Sequence, residues 1–220
     1  MTRHFHNEIE KLKKKILSLT ALVEDNLQLA VKSISTRDTT LADKVVDRDY
    51  AIDSFEVEVE EECLKILALH QPVAADLRYV VAALKINNDL ERIGDLAVNI
   101  AKRTKLFMLY NGITVPFDLD KMLKLTMEMV QGSIDALINT DIQLADDVCE
   151  ADNEMDQMHR DTYGVLKEKI AENPELTEYY ITLLNVSRNL ERIADHATNI
   201  AEDVIYLVKG EIIRHQGALE

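Results

Sequence analysis

The sequence predicts an all-α fold, arranged as two tandem antiparallel three-helix bundles related by internal duplication. Three observations predict it. The first is composition: among 220 residues there are three Pro, six Gly and no Trp, and 47% are hydrophobic, with Ala, Leu, Ile, Glu, Asp and Lys abundant. That is material for helices rather than for strands and tight turns. The second is repetition. Asn88-Asp89-Leu90-Glu91-Arg92-Ile93-Gly94-Asp95-Leu96-Ala97-Val98-Asn99-Ile100-Ala101 returns 100 residues later as Arg188-Asn189-Leu190-Glu191-Arg192-Ile193-Ala194-Asp195-His196-Ala197-Thr198-Asn199-Ile200-Ala201, identical at nine of fourteen positions. A weaker echo aligns Asp49, Ile52 and Asp53 with Asp152, Met155 and Asp156. A repeat of this length marks a duplicated structural unit. The third is punctuation, which cuts each copy into three long segments.

Taken in order, the first helix is expected over 5–35, because Ile9, Leu12, Ile16, Leu19, Val23, Asn26 and Ala30 step by three and four residues, the seam of a helix packed lengthwise on its neighbours. Thr36-Arg37-Asp38 and Asn139-Thr140-Asp141 interrupt the apolar rhythm and end in an N-capping residue, placing the second helix at 38–70 and the fifth at 141–172. Pro72 and Pro174 are read as first-turn prolines of helices at 72–109 and 174–214, with Asn173 as an N-cap. The turn-rich stretch Asn111-Gly112-Ile113-Thr114-Val115-Pro116 separates the copies. The fourth helix follows at 118–138. The first repeat thus spans 1–110, the linker 111–116 and the second repeat 117–216. Tight turns between long helices make each repeat run up, down and up.

Charge and cysteine usage exclude several classes of function. The net charge is −15, with 16 Lys+Arg against 18 Asp+Glu in residues 1–110 and 9 against 22 thereafter, the wrong balance for a nucleic-acid partner. Lys11, Lys13, Lys14 and Lys15 form one basic run, either a solvated helix face or a docking patch for an acidic partner or membrane surface. Cys63 and Cys149 stand alone, far from any CxxC spacing, so neither a disulfide framework nor a zinc site is expected. Residues 1–15 lack an apolar signal segment and no stretch is apolar enough to cross a membrane. Neither export nor membrane insertion is expected.

The seams of the other helices carry acids where aliphatics belong. The second helix reads Leu41, Val45, Asp49, Ile52, Glu56, Val59, Cys63, and the third Leu77, Val81, Leu84, Asn88, Glu91, Asp95, Val98. Asp49 with Asp53 and Glu91 with Asp95 are i,i+4 pairs on one helix face. In an antiparallel hairpin, residues equidistant from the turn lie level. The pair centres 51 and 93 have their midpoint at Pro72; in the second copy, Asp152/Asp156 and Glu191/Asp195 centre on 154 and 193, with the midpoint at Asn173-Pro174. Each set of four acids should meet about 30 Å from its turn, at ~1.5 Å per residue.

Convergence of that kind needs protons, arginines such as Arg92 and Arg192, or a hard cation to offset the repulsion; the cation is favoured. Glu56 and His159 occupy equivalent positions one turn beyond the acid pairs. A histidine there would tilt the second site toward Zn, Fe or Mn over Mg. Asn99 and Asn199 would extend the face by one turn, as metal-orienting groups or as helix–helix hydrogen bonders, and Asn26 and Thr126 come near the same height.

The duplicated Leu-Glu-Arg-Ile-(Gly/Ala)-Asp with Asn four residues on, preceded one helix earlier by an acid-xxx-Asp pair, resembles the PhoU family of phosphate-signalling regulators over essentially the whole chain. The resemblance implies two PhoU-like bundles in a cytoplasmic protein, with metal ligands at Asp49, Asp53, Glu91, Asp95, Asp152, Asp156, Glu191 and Asp195. The metal expected is Fe, Zn, Mn or Mg. It further implies a negative regulator of phosphate uptake and of the phosphate-starvation response, linking the ATPase subunit of a high-affinity phosphate ABC transporter to a sensor histidine kinase, and reaching the membrane only through these partners. Exposed helical faces favour a homodimer. Two other readings compete. A ferritin-like storage protein or carboxylate di-metal enzyme would need Glu-x-x-His elements, which the chain lacks, and no phosphate loop or catalytic triad spacing is present, so the chain is not expected to be an enzyme. A purely structural adaptor would leave its acids to solvent.

Overall fold

In the computed structural model, which describes residues 3–110 and 112–211, six α-helices run in sequence: α1 Arg3–Thr36, α2 Thr39–His70, α3 Ala74–Leu109, α4 Leu119–Asn139, α5 Ile142–Glu172 and α6 Thr177–Lys209, with a 3-10 turn over Pro174–Leu176 before α6. No strand occurs among the described residues. The all-α duplicated architecture is therefore as expected. α1, α2 and α3 pack on one another, as do α4, α5 and α6; α3 lies along α6 and joins the halves, with a smaller contact between α1 and α4. One continuous apolar core results.

Local chemistry explains the helix boundaries. Asp38 accepts hydrogen bonds from the N–H groups of Thr40 and Leu41, and Asp141 accepts from that of Leu144, satisfying donors that a helix start otherwise leaves open. Asp118 does the same for Lys121 at the start of α4. The proline turns differ from expectation. Gln71 closes α2 in the left-handed region, φ 45°, its N–H donating to Leu67 O, and Val73 is extended. Pro72 therefore sits in a short link, and α3 begins at Ala74. Asn173 likewise closes α5 through its backbone N–H, with no side-chain cap bond, while Pro174 opens the 3-10 turn. At the other end, α6 stops at Lys209, because Gly210 takes φ 75° and caps Tyr206 O, a left-handed stop that glycine tolerates. Residues 212–214 of the expected helix lie outside the described part.

All seven α1 seam residues are buried. Across from them, α2 contributes one stripe, Val45, Ile52, Val59, Cys63 and Ile66, while Tyr50, Val57 and Leu64 face out. Two lysines of the basic run of α1 reach α2, Lys11 pairing with Glu62 at 3.2 Å and Lys15 with Glu58 at 2.7 Å, while Lys13 pairs with Glu10 of its own helix. Arg37, in the α1–α2 turn, donates to the carbonyls of Tyr110 and Ile113, and Tyr179 of α6 donates to Ile113 O. The link between repeats is thus held from both halves. Both cysteines are free. No helix among the described residues is long and apolar enough to cross a membrane.

Candidate metal centres

The hairpin of α2 and α3 brings Asp49, Asp53, Glu91 and Asp95 to one side of their contact. Between them the helices approach closely. A Cβ on Gly94 would stand 3.3 Å from both branches of Ile52 and 3.7 Å from Asp49 Oδ1. Burial, then the nearby Asp53 and Asp95, push the Asp49 carboxyl from 3.8 up to about 6. Glu91 is raised by burial and by Asp95, against the pull of Arg92. The acids of the two helices feel one another across the contact. Arg92, half-exposed, reaches Glu91 Oε2 and Asp95 Oδ2, each at 3.3 Å.

The second quartet repeats the arrangement between α5 and α6. Burial, Asp195 and Asp156 raise Asp152 to about 6. Asp195, exposed as a whole residue, is also raised to about 6 by loss of solvent around its carboxylate and by Glu191 and Asp156. Glu191 is raised by burial, Asp156 and Asp152. Arg160 pairs with Asp156 at 3.1 Å.

The level-matching across the turns therefore brings each quartet together, but at the rim of the bundle rather than inside it. Asp53 and Asp195 are exposed, and the side chains of Asp95 and Asp156 keep 44% and 42% of their accessible area. The reason is in α3. Its expected seam runs along the edge of the apolar arc, where Leu77 and Asn88 are exposed, whereas the buried stripe is Ile86, Leu90, Ile93, Ala97 and Ile100. A helix packed against three neighbours has a wide apolar arc, and its polar edge is open to ions. A closed site is not what forms.

An observation inside each site bears on what it could hold. Asp49 Oδ1 is a buried atom with no hydrogen bond, as is Oδ1 of the fully buried Asn26, and Asp152 Oδ1 is buried with no well-formed bond, Thr198 being its neighbouring donor. Asn26 donates through Nδ2 to Val45 O at 3.2 Å, which leaves its oxygen spare. Buried acceptors without donors are costly. An oxygen-only set with spare lone pairs and mutually repelling acids suits a hard cation, which would draw together oxygens now spread too widely for any three to lie within 4.8 Å. The residues fit such an ion. At the height of Asn26 in the second repeat, Thr126 donates to Met122 O of its own helix.

Flanking groups sort differently from expectation. Glu56 accepts from Asn87 Nδ2 at 3.0 Å, and the equivalent His159 bonds through Nδ1 to Ser187 Oγ at 2.8 Å. Asn87 and Ser187 are themselves 100 residues apart, so each repeat ties the turn beyond its acid pair to the facing helix; aligning the repeats through these residues would have revealed them. Of the two roles open to Asn199, the helix–helix hydrogen bond is the one formed. Its amide reaches across to Asp89 Oδ1 at 3.4 Å, beside His196 Nδ1 at 2.8 Å from the same oxygen. It serves the α3–α6 contact, not the quartet, because the step from Asp195 to Asn199 turns toward the other repeat. Asn99 is exposed.

Comparison with known proteins agrees with the duplicated fold. The sequence profile described as the PhoU domain matches residues 16–104 and again 119–204. The chain is 36% identical over 209 residues to the phosphate-specific transport system accessory protein PhoU homolog of Aquifex aeolicus, covering 95% of both chains. It is 35% identical over 210 residues to PhoU homolog 1 of Thermotoga maritima, covering 94% of this chain and 90% of that one. Among solved structures, PhoU from Pseudomonas aeruginosa superposes with a TM-score of 0.91 at 34% identity, over 94% of this chain and all of that one. PhoU from Streptococcus pneumoniae gives 0.84 at 28% identity, over 95% and 99%. With both repeats matched and the architecture shared end to end, the chain belongs to the PhoU domain family.

Proposed function

We propose that this chain is a PhoU-type accessory protein of a phosphate transport system that restrains phosphate uptake and the phosphate-starvation response when phosphate is plentiful. One observation carries the reading: relatives named phosphate-specific transport system accessory proteins match it at 35–36% identity over nearly the full length, both repeats included. Its partners would be the ATPase subunit of the transporter and a sensor histidine kinase, met in the cytoplasm, with a second copy completing a homodimer. The family supports an accessory rather than a catalytic role.

In this reading Asp49, Asp53, Glu91 and Asp95 hold one metal site, and Asp152, Asp156, Glu191 and Asp195 the other, with Fe, Zn, Mn or Mg as the ion. The bound ion would supply positive charge that cancels carboxylate repulsion. The carboxylates in turn tie α2 to α3 and α5 to α6 at the bundle rim, fixing the face offered to partners. His159 sits beside the second site with its Nδ1 already bonded to Ser187; with Nδ1–H as the donor, Nε2 keeps the lone pair a transition metal takes.

The test is cellular. Deleting the gene should raise phosphate uptake and phosphatase expression in phosphate-rich medium, and re-expression should restore repression. Unchanged uptake and expression on deletion would sink the assignment.

A further inference from the structure

Away from the quartets, the described residues contain one set of three metal-competent side chains whose ligand atoms all lie within 4.8 Å of one another: His4, Glu8 and His70. The fold brings them together by the register that assembles the acids. His4 and Glu8 share a face of α1 one turn apart. His70 is the last residue of α2, and the midpoint of 4 and 70 is 37, the α1–α2 turn, so the antiparallel pair holds them level. Glu8 is buried and uses both oxygens, Oε1 at 3.4 Å from His4 Nε2 and Oε2 at 2.9 Å from His70 Nε2. The two imidazole rings meet edge to face, 5.8 Å between centroids.

We infer that His4, Glu8 and His70 form a zinc site, separate from the carboxylate quartets, that clips the start of α1 to the end of α2. Two imidazoles and a carboxylate are a nitrogen-and-oxygen set that takes Zn²⁺ in preference to Mg²⁺ or Ca²⁺. A tetrahedral ion ~2.0–2.1 Å from its ligands separates them by roughly 3.3 Å. His70 Nε2 and Glu8 Oε2, 2.9 Å apart, already lie within that spacing, and the side chain of His4, 74% exposed and now on the other carboxylate oxygen, is free to swing in and complete the set. Three protein ligands leave a fourth position for water. A cavity of about 310 Å³, lined by Phe5, His70, Pro72, Val73 and Asp76 among others, adjoins it.

Lys65 is the competitor, 3.2 Å from Glu8 Oε1, but it also holds Glu62 at 3.3 Å and can keep that partner when an ion displaces it from Glu8. The second repeat has no equivalent. α4 is 21 residues against 34 for α1, so the turns carrying His4 and Glu8 have no counterpart there.

The test uses the full-length protein stripped of metal, with Zn²⁺ titrated against a chromogenic chelator and Co²⁺ as a spectroscopic stand-in. Wild type should bind one more Zn²⁺ equivalent than His4→Gln or His70→Gln, and should give the intense visible bands of four-coordinate Co²⁺ that both histidine variants lose. Asp49→Asn with Asp152→Asn should keep those bands, which separates this site from the quartets. His4 is exposed, so His4→Gln should keep its metal-free melting temperature while losing the rise that Zn²⁺ gives wild type. Unchanged stoichiometry and Co²⁺ bands in either histidine variant would overturn the site.

Discussion

The two carboxylate quartets share a plan and differ in what surrounds it. In the first, Arg92 bridges Glu91 and Asp95, a glycine lies at the helix contact, and the residue one turn beyond the acid pair is Glu56, held by Asn87. In the second, Arg160 pairs with Asp156, Ala194 replaces the glycine, and the corresponding residue is His159, held by Ser187. Two of the three carboxyls pushed up to about 6 belong to the second quartet. Duplication preserved the acid spacing and let the neighbours drift, so the spacing is what both repeats need and the neighbours are where they can specialise.

The widest expected separation between the quartets is in metal binding. Asp49→Ala should weaken the first site and leave the second, and Asp152→Ala the reverse, each by more than about 100-fold, beyond the 10–100-fold typical of losing an outer-shell partner. His159→Ala should lower Zn²⁺ or Mn²⁺ affinity at the second site alone, about tenfold. Metal analysis with isothermal titration of each variant checks this. If either aspartate substitution empties both sites, the repeats are not independent and the comparison fails.

The next effect is on stability against pH in metal-free protein. Asp49, Asp152 and Asp195 have folded-state values of about 6 against 3.8 ordinarily, so the folded chain holds protons that the unfolded chain has released. Stability is then greatest below pH ~4 with respect to these groups and declines as pH rises through about 6. Solvent screening at these partly open sites limits the loss to roughly 1 kcal/mol per acid. Asp152→Asn with Asp195→Asn should flatten the decline more than Asp49→Asn does, as read by urea unfolding at pH 4.5 and pH 7.5. A bound ion, which needs the deprotonated acids, should reverse the slope.

How much of this was legible from sequence follows from what each signal encodes. Level-matching across the turns worked because helix rise is fixed and antiparallel hairpins conserve height, so Asp49 could be matched to Glu91 and Asp95 without coordinates. Whether the face points in or out was not legible, because α3 packs against α1, α2 and α6 together and a two-neighbour seam puts Leu77 and Asn88 inside when they are exposed. The two roles open to Asn199 could not be separated for a related reason: one heptad-like line cannot tell which of two neighbouring helices a residue at its edge will meet. The turns misled in a third way. A proline fixes its own φ, but the left-handed Gln71 before it ends α2, and the extended Val73 and left-handed Ala74 after it delay the restart of the helix. His4 and His70 escaped notice because they lie 66 residues apart, and only the hairpin register joins them.

The finest contrast between the quartets is a single methyl group at position 94 or 194. Alanine is a better helix former than glycine by about 1 kcal/mol, so Gly94→Ala would stabilise α3 in isolation. In place, the new Cβ meets Ile52 Cδ1 and Cγ2 at 3.3 Å, and Ile52, 1% exposed, must give by a few tenths of an ångström inside a packed core. Crowding of a packed core costs roughly 1–3 kcal/mol, enough to cancel the propensity gain and leave a net loss of up to about 2 kcal/mol. Any shift of Ile52 also moves Asp49, three residues earlier on the same helix, so metal affinity should fall at the first site only. Ala194→Gly runs the other way: it removes a fully buried methyl and a helix-favouring residue, for a loss of about 1–2 kcal/mol. Denaturant midpoints of the two variants, with titration of each site, decide whether the first repeat is tuned for close helix contact and the second for helix stability. Stabilisation of Gly94→Ala by about 1 kcal/mol with unchanged metal binding would show that the glycine is tolerated there rather than required.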